Sequence, residues 1–323
     1  MMGVAIALPP WLGCATMASG RERDQRRPIS SKIAHRGMIA SMTASSDRLA
    51  ERRAAYAREV LARYGTDDPA VEAAFAAVPR EAFLGQPPWW FGSGGTASWS
   101  KTSDPESLYQ DQLIALDRAK GINNGQPSLH ALCIASLRLT KRDRVLHVGA
   151  GTGYYTAILA ELAGSVDAYE IEASLAAQAG QNLVPWPSVT VHVESAAGRQ
   201  LPEADVIYVS AGASHPDPFW LETLRDGGRL VFPLTGDERW GGMLLVERGG
   251  RGFAARFLSG CGFINCAGLR DPVTAARLTQ VFRLGGKDQV RSLPRQPPRG
   301  PTVWFAGDGW YLSTDPPPTE DSK

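Results

Sequence analysis

Short apolar runs alternate with amphipathic stretches from residue 144 onward, a pattern that predicts strands and helices in turn. The predicted strands are Val145–Val148, Ser165–Ile171, Val189–Val193, Asp205–Ser210 and Arg229–Leu234. The predicted helices are Tyr154–Ala163, Ala173–Leu183 and Pro218–Leu224. Two further strands, Met243–Glu247 and Phe253–Phe257, form a predicted hairpin around Gly249-Gly250. We therefore expect an α/β fold with a doubly wound, mostly parallel sheet of seven strands.

Two helices are predicted before this region. The first begins at Ser46-Asp47 and ends at Gly65. Its expected apolar face consists of Leu49, Tyr56, Val60 and Tyr64. The second begins at Asp68-Pro69 and ends at Pro79. Residues 85–107 are rich in glycine and aromatic side chains, so we expect a long loop whose aromatics either cover a ligand or pack as a separate cluster.

Residues 1–44 and 271–323 flank the predicted α/β domain of residues 45–270. The stretch from Val4 to Ala18 is apolar, but no basic residue precedes it and Pro9-Pro10 interrupts it, which argues against a signal segment. We interpret residues 1–44 as a disordered leader or a misassigned start. Residues 271–323 are basic and rich in proline, which predicts a linker followed by a hairpin of Thr302–Phe305 and Trp310–Leu312.

Composition and charge exclude several classes of protein. The chain has 323 residues, of which 43% are hydrophobic, so it is long enough to bury a substantial core. Its 34 Lys and Arg against 33 Asp and Glu give a net charge of +1, which predicts no general attraction to nucleic acid. No apolar run reaches the ~20 residues of a membrane span, so no membrane partner is expected. The basic residues after Arg270 are interpreted as a solvated surface.

Cysteine usage argues against a disulfide framework and against a metal site. The four cysteines are Cys14, Cys133, Cys261 and Cys266. Their number and uneven spacing favour a reducing compartment, so we expect a cytoplasmic protein. Cys261 and Cys266 have neither a CxxC spacing nor a neighbouring histidine, so no metal ligand set is expected.

A glycine-rich turn links the first predicted strand of the sheet to the helix that follows. It runs Val148-Gly149-Ala150-Gly151-Thr152-Gly153, where a nucleotide-like cofactor can approach bare backbone. The dehydrogenase fingerprint, GxGxxG, has its third glycine one residue later, and the GxGxG spacing is the one found in S-adenosylmethionine-dependent methyltransferases. Glu170 ends the next strand, where a carboxylate accepts hydrogen bonds from ribose hydroxyls of either kind of cofactor.

Several segments around this turn match one family. They are Val71–Phe75, Val78–Phe83, Tyr109-Gln110-Asp111, Val145–Leu159, Ala204–Ile207 and Gly227–Val231. Through them, residues 66–268 resemble the protein-L-isoaspartate O-methyltransferases. The resemblance implies a Rossmann-like class I methyltransferase fold, S-adenosyl-L-methionine as cofactor and a peptide or protein carboxylate as acceptor. The cofactor-binding residues that it implies are Val148, Gly149, Ala150, Gly151, Gly153, Glu170, Ser195 and Ala196. The substrate-binding residues that it implies are Tyr109, Asp111, Phe263 and Ile264.

The chain departs from this family where the acceptor is bound. The family carries a TISxP segment whose serine lies at the reacting centre, whereas this chain has Asn123-Asn124-Gly125-Gln126-Pro127, with Gly125 at the serine position. Asn124 and Gln126 offer amide donors for a carboxylate, or the segment is a simple turn. His130 matches a histidine of some members and is either catalytic or a buried structural residue. The catalytic candidates are therefore Asn124, Gly125, Gln126 and His130.

Two further departures concern the cofactor side. His147 replaces the acidic residue that precedes the glycine-rich turn in the family, and we interpret it as a satisfied core residue. Ser195 and Ala196 stand where the family has the GDG that contacts adenine, so a hydrogen-bonding hydroxyl is kept and the charge is lost.

The chemistry of methyl transfer decides how serious these departures are. Transfer from a sulfonium to a carboxylate is an in-line displacement that requires alignment and exclusion of water. A carboxylate is already ionised at pH 7, so no general base is needed, and loss of the serine removes one positioning hydrogen bond worth about 1–3 kcal/mol. We therefore expect a monomeric methyltransferase acting on an (iso)aspartyl peptide or protein. A small-molecule acceptor, a nucleic-acid acceptor and a cofactor-binding module without turnover are the alternatives.

Overall fold

A long helix opens the part of the chain that the structure describes. The structure is a computed structural model, and it describes residues 47–92, 99–298 and 300–318. The predicted leader, residues 1–44, lies outside these described residues. Helix α1 covers residues 47–62 and buries Tyr56 and Val60, as predicted. Tyr64 is 41% exposed, so its assignment to the buried face is wrong, because the helix ends before it.

Antiparallel strands occupy much of the region predicted as a long loop. Helix α2 (Pro69–Ala77) is followed by β1 (Trp89–Gly92), β2 (Trp99–Thr102), β3 (Leu113–Asp117) and β4 (Ile122–Asn123). They form a sheet in the order β2-β1-β3-β4. Trp89 packs with Leu108 and Ile114 in a small separate cluster, the second of the two expected roles. The loop prediction is wrong for β1 and β2, because the two segments satisfy backbone groups by pairing with each other, and β1 also pairs with β3.

A seven-stranded sheet forms the centre of the fold, as predicted. Its strands are β5 (Arg144–Val148), β6 (Ser165–Tyr169), β7 (Val189–His192), β8 (Ala204–Val209), β9 (Leu224–Thr235), β10 (Trp240–Gly249) and β11 (Gly252–Gly262). Their order is β11-β10-β9-β8-β5-β6-β7, with parallel pairing from β7 to β9 and antiparallel pairing of β10 and β11. The order reverses at β5, so ligands of such a sheet bind outside the carboxyl end of β5.

Helices cover both faces of this sheet. They are α3 (Pro127–Ser136), α4 (Tyr154–Leu162), α5 (Ala173–Asn182), α6 (Pro218–Thr223) and α7 (Pro272–Leu284). Val145 and Val206 belong to one buried cluster, whereas their neighbours Leu146 and Ile207 belong to another. Because successive side chains of a strand point to opposite faces, strands covered on both sides are apolar throughout.

Helix α7 lies in the segment that the sequence analysis treats as a linker. Asp271 caps it by accepting a hydrogen bond from the backbone N–H of Thr274 at 2.6 Å, and Pro272 occupies the first turn. The Asp-Pro start signal that predicts α2 is therefore repeated here, and Gly285 ends the helix. The linker prediction is wrong for α7, because these end signals outweigh the overall proline content.

The C-terminal segment packs on the main sheet. Strands β12 (Val303–Ala306) and β13 (Tyr311–Ser313) form the predicted hairpin. The side chains of Leu278, Phe305 and Trp310 join the buried cluster that contains Leu146. Several basic side chains bond within the chain. Arg277 donates to the carbonyl of Ala306 at 2.6 Å, Arg283 to the Glu238 carboxylate at 2.7 Å and Arg295 to the Glu222 carboxylate at 3.3 Å.

Candidate functional site

The glycine-rich turn lies between the end of β5 and the start of α4. Gly149, Gly151 and Gly153 have φ angles of 78°, 58° and 96°, in the left-handed region that favours glycine. The N–H groups of Gly149 and Ala150 donate to the carbonyl of Tyr169 at 2.9 and 3.1 Å. The turn is therefore tied to the end of β6, with its backbone bare of large side chains.

Glu170 lies beside this turn, directly after β6. Its carboxylate accepts hydrogen bonds from the N–H groups of Gly151 at 2.7 Å and Glu172 at 2.9 Å. Burial raises the pKa of Glu170 from its ordinary value, and these two backbone hydrogen bonds oppose that rise. A carboxylate has about four acceptor positions, so Glu170 can accept further hydrogen bonds besides these two.

Ser195 and Ala196 form a local turn near the same edge of the sheet. The Ser195 hydroxyl accepts a hydrogen bond from the N–H of Ala197 at 3.1 Å, and the Ala196 carbonyl accepts one from Trp220 Nε1 at 2.8 Å. Ser195 is half-buried and keeps a hydroxyl proton to donate. Its predicted contact with adenine stays a prediction.

A cleft of about 1000 Å³ opens beside the glycine-rich turn. Residues 149–152 form one wall, and residues 123–126 with His130 form another. The predicted residues Asp111, Phe263 and Ile264 also line the cleft. The predicted residues that do not line it are Tyr109, Val148, Gly153, Glu170, Ser195 and Ala196. The cleft thus joins the bare backbone of the cofactor side to all four catalytic candidates.

Tyr109 lies in the core and not at the substrate side, so its predicted role is wrong. Its side chain is 0% exposed and its ring contacts the ring of Tyr56 edge-on, with centroids 5.5 Å apart. Its hydroxyl accepts from the backbone N–H of Arg80 at 3.2 Å and donates to the Glu81 carboxylate. Tertiary packing under α1 turns this ring inward, away from the cleft that its neighbour Asp111 lines.

Asp111 holds the start of α3 against the cleft. Its carboxylate accepts hydrogen bonds from the N–H and the hydroxyl of Ser128, at 2.8 and 2.7 Å. It also accepts one from Gln126 Nε2 at 2.9 Å. Gln126 is therefore engaged in fixing its own turn, and Asp111 determines where that turn lies.

Arg80 organises the segment that carries Asp111, and the sequence analysis assigned it no role. Its guanidinium is fully buried. It donates to the carbonyl oxygens of Leu108, Gln110 and Gln112 at 2.6, 3.0 and 2.9 Å. A weaker contact of 3.4 Å reaches Asn124 Oδ1. The signal available in the sequence is that Arg80 belongs to the matched segment Val78–Phe83.

Asn124 and Gly125 form the tip of the turn that replaces the family's serine segment. Asn124 Oδ1 accepts a hydrogen bond from the N–H of Ile114 at 2.8 Å, while its Nδ2 is buried with no partner among the described residues. Gly125 has a φ of 74°, and a Cβ built there would lie 2.1 Å from His130 Nε2. The imidazole of His130 therefore fills the space that a serine side chain would need.

His130 is held in a fixed orientation. Its ring stacks on Tyr155 with centroids 3.7 Å apart, and its Nδ1 lies 2.6 Å from the Tyr208 hydroxyl. Burial, with smaller contributions from His147 and Arg80, lowers the pKa of His130 to about 3, so the ring is neutral at pH 7. We assign the tautomer in which the Tyr208 hydroxyl donates to Nδ1 and the ring proton lies on Nε2, because the reverse arrangement would leave both the Tyr208 hydroxyl proton and Nε2 without a partner among the described residues. That Nε2–H is buried and has no partner among the described residues.

His147 is a satisfied core residue, as the sequence analysis expects. Its Nδ1 lies 2.8 Å from the Thr156 hydroxyl and its Nε2 lies 3.2 Å from the Ser210 hydroxyl. Burial lowers the pKa of His147 to about 3, so it too is neutral at pH 7. Both ring nitrogens are occupied, so His147 has no free group to offer a substrate.

Four further cleft-lining residues were not selected from the sequence. They are Arg63, Tyr64, Arg239 and Trp240. Each pair follows the end of an element, α1 or β9, and no motif marks either one. Only the tertiary structure, in which both turns line the same cleft, identifies these four residues.

Residues 47–92, 99–298 and 300–318 contain neither a metal-binding cluster nor a membrane-spanning helix. No group of three or more His, Cys, Asp or Glu side chains in these residues is arranged to hold a metal ion. No helix among them is long and apolar enough to cross a membrane. The described cysteines, Cys133, Cys261 and Cys266, are buried free thiols.

Sequence comparison identifies one family. The family model of protein-L-isoaspartate(D-aspartate) O-methyltransferase (PCMT) matches residues 96–268. A protein-L-isoaspartate O-methyltransferase of Rhodopseudomonas palustris is 35% identical over 187 residues, which cover 56% of this chain and 77% of that protein. One from Methanoregula boonei is 32% identical over 232 residues, which cover 70% of this chain and 97% of that protein.

Solved structures with the same fold include two of that description. A protein-L-isoaspartate O-methyltransferase has a TM-score of 0.50 at 21% identity, covering 74% of this chain and 71% of that one. A Plasmodium falciparum protein described in the same terms, in complex with S-adenosyl-L-homocysteine, has a TM-score of 0.53 at 19% identity, covering 67% and 98%. These likenesses confirm the predicted Rossmann-like α/β fold.

Proposed function

This chain belongs to the protein-L-isoaspartate(D-aspartate) O-methyltransferase family, and from that premise we propose that it esterifies the free carboxylate of an isoaspartyl residue in a peptide or protein. It is an S-adenosylmethionine-dependent methyltransferase. One observation carries the choice of a carboxylate acceptor. Two unpartnered buried nitrogens, Asn124 Nδ2 and His130 Nε2, flank Gly125 in the wall of the cleft.

The cofactor side fits S-adenosylmethionine. Gly149 and Gly151 line the cleft with bare backbone, against which the chain of the cofactor can lie. Glu170 has two acceptor positions left for the ribose hydroxyls, and the Ser195 hydroxyl is a donor for the adenine edge. We assign these residues to cofactor binding.

The acceptor side fits a carboxylate. An unpartnered buried donor costs about 1–3 kcal/mol, and a carboxylate bound beside Gly125 would remove that cost at both nitrogens. Asp111 fixes the turn through Ser128 and Gln126, so the two donors are positioned before the acceptor arrives. Phe263 lies edge-on to the His130 ring, with centroids 6.1 Å apart, and helps to exclude water there.

The reaction needs orientation and no proton transfer from the chain. S-adenosylmethionine, held by Gly149, Gly151 and Glu170, would supply an electrophilic methyl group to a carboxylate oxygen, and the products would be a methyl ester and S-adenosylhomocysteine. Neutral His130 suits this chemistry, because its Nε2–H orients the carboxylate without competing for a proton. Asn124 acts in the same way from the other side of Gly125.

The test is methyl transfer to a peptide that contains one isoaspartyl residue, beside its aspartyl twin. With methyl-labelled S-adenosylmethionine, we expect base-labile label on the isoaspartyl peptide alone. Binding of S-adenosylhomocysteine without label on either peptide would reject isoaspartate as the acceptor and support S-adenosylmethionine as the cofactor. Label that resists base would indicate an acceptor other than a carboxylate.

Two variants test the donors directly. Asn124→Asp keeps the Oδ1 that accepts from Ile114 but replaces the Nδ2 donor with an anionic oxygen, so kcat/KM is expected to fall at least about 10-fold. His130→Phe is made in a Tyr208→Phe background, because Tyr208→Phe alone removes only the partner of Nδ1. The double variant should lose about 10-fold relative to its background. Equal values would exclude a role for Nε2.

A further inference from the structure

Two exposed arginine–aromatic pairs line the cleft, and the part of the cleft that they line is called the mouth. Arg63 and Tyr64 follow α1, and Arg239 and Trp240 lie where β9 turns into β10. Tyr64 is 41% exposed and Trp240 is 60% exposed, and no other aromatic side chain of the described residues is exposed to this degree. An exposed aromatic beside an exposed arginine, on two sides of one cleft, is the composition of a binding surface.

Both guanidinium groups are available to a ligand. Arg63 and Arg239 are exposed, and within the described residues neither side chain has a hydrogen-bond or ion-pair partner. Two carboxylates of the same cleft lining are already engaged. Glu59 accepts two hydrogen bonds from Arg52, at 2.9 and 3.3 Å, and Glu238 pairs with Arg283 at 2.7 Å. The charges of Arg63 and Arg239 are therefore not balanced by Glu59 or Glu238, and the Asp111 carboxylate of the same lining is occupied by hydrogen bonds from Ser128 and Gln126.

The turn that carries Arg239 and Trp240 is fixed by the C-terminal segment. Arg239 has a φ of 65°, a conformation that a non-glycine residue keeps only where its surroundings hold it. The Thr279 hydroxyl of α7 accepts a hydrogen bond from the N–H of Asp237 at 3.0 Å. Arg270 donates to the Gly236 carbonyl at 2.6 Å. Helix α7 lies beyond residues 96–268, which the family model matches, and it holds the turn that carries Arg239 in place.

We propose that this mouth selects acidic peptide segments: carboxylates that flank the methyl-accepting residue bind Arg63 and Arg239, and Tyr64 and Trp240 cover the peptide backbone. The proposal rests on the proposed function for the acceptor residue itself. Esterification removes one negative charge from the bound segment, which weakens its attraction to the mouth and favours release of the product.

A single-stranded nucleic acid also combines anionic groups with stacking surfaces. The observations favour a peptide. Among the described residues, Arg63 and Arg239 are the arginines that line the cleft, too few for a strand that carries one phosphate on every nucleotide. The chain as a whole has a net charge of only +1.

The test separates binding from transfer. Fluorescent peptides of one length, each with a single isoaspartyl residue flanked by Glu, Ser or Lys, are titrated by anisotropy into the protein with S-adenosylhomocysteine. The Glu-flanked peptide is expected to bind about 3- to 10-fold more tightly than the Ser-flanked one, as for exposed ion pairs. At about 0.5 M salt, where the Debye length is about 4 Å, the ratio should approach one.

Matched variants assign the preference to the two arginines. Arg63→Gln and Arg239→Gln should each reduce the Glu-to-Ser ratio. The controls Arg58→Gln and Arg256→Gln remove exposed arginines that do not line the cleft, and should leave the ratio unchanged. A ratio near one in the unmodified protein overturns the proposal, as does tighter binding of an oligonucleotide than of any peptide. Tighter binding of the Glu-flanked peptide without methyl transfer to it would support the selection of acidic peptides and reject the proposed function.

Discussion

Gly125→Ser restores the residue that the family's motif carries, yet the structure predicts that it damages this protein. Gly125 has a φ of 74°, and a side chain in the left-handed region costs about 1–2 kcal/mol. Its Cβ would lie 2.1 Å from His130 Nε2, far inside contact distance. The His130 ring cannot yield easily, because it is stacked on Tyr155 and bonded to Tyr208. Overpacking of this kind adds about 1–3 kcal/mol, for a total of about 2–5 kcal/mol.

The matched control is Gly121→Ser, only four residues away. Gly121 has a φ of 69°, and a Cβ there would meet no atom within 4 Å. Both serines therefore carry the same backbone penalty, and only the one at Gly125 meets His130. Urea unfolding followed by tryptophan fluorescence should place Gly125→Ser about 1–3 kcal/mol below Gly121→Ser in the free energy of unfolding. Methyl transfer to the isoaspartyl peptide should fall as well, because a displaced His130 no longer presents Nε2.

Equal stability of the two variants would refute this reasoning, since it would mean that His130 does not occupy the serine position. A Gly125→Ser protein with unchanged stability and raised kcat/KM would refute it more directly. That result would show that the site still accommodates the family's serine, and that Gly125 only removes its side chain.

Three further predictions concern other parts of the site. Glu170→Gln should weaken S-adenosylhomocysteine binding by roughly 10- to 100-fold in calorimetry, as for loss of a charged hydrogen-bond partner, whereas Glu172→Gln, at the surface beside Lys120, should not. His130 and His147 have pKa values of about 3 when folded, below the ordinary value of about 6.5, so the unfolded chain binds protons that the native chain does not. The free energy of unfolding should therefore fall as pH is lowered from about 6.5 towards 3, by about 1.4 kcal/mol per pH unit for each histidine. Urea unfolding midpoints that do not change between pH 6.5 and pH 5 would contradict this prediction. Arg80→Met should leave one buried and two half-buried carbonyl groups without their donor and lower the free energy of unfolding in urea by about 3–5 kcal/mol. A loss under about 1 kcal/mol would show that water replaces the guanidinium.

Local sequence signals were sufficient for most of the main sheet. The apolar run Val206–Val209 predicts a strand covered on both faces, and β8 is such a strand. The Asp68-Pro69 start predicts α2 and the glycine spacing predicts the turn after β5, because both depend on backbone conformations set by a few neighbouring residues. The same local logic, applied at Asp271-Pro272, would have predicted α7.

Side-chain direction was not predictable in this way. Tyr109 and Asp111 are two residues apart in one matched segment, yet Tyr109 is buried beneath α1 while Asp111 lines the cleft. Which of them faces substrate depends on how α1 and Arg80 pack on that segment, and these contacts join residues 28 positions apart or more.

The sequence by itself determined the family, the sheet and the cofactor turn, since each rests on short-range patterns of apolar, glycine and acidic residues. Only the tertiary structure decided what became of the missing serine and where the acceptor enters. Gly125 and His130 are brought face to face by the turn into α3, and Tyr64 and Trp240 line the same cleft although 176 positions separate them. Such contacts arise from packing between distant segments, which no pattern along a single stretch of chain encodes.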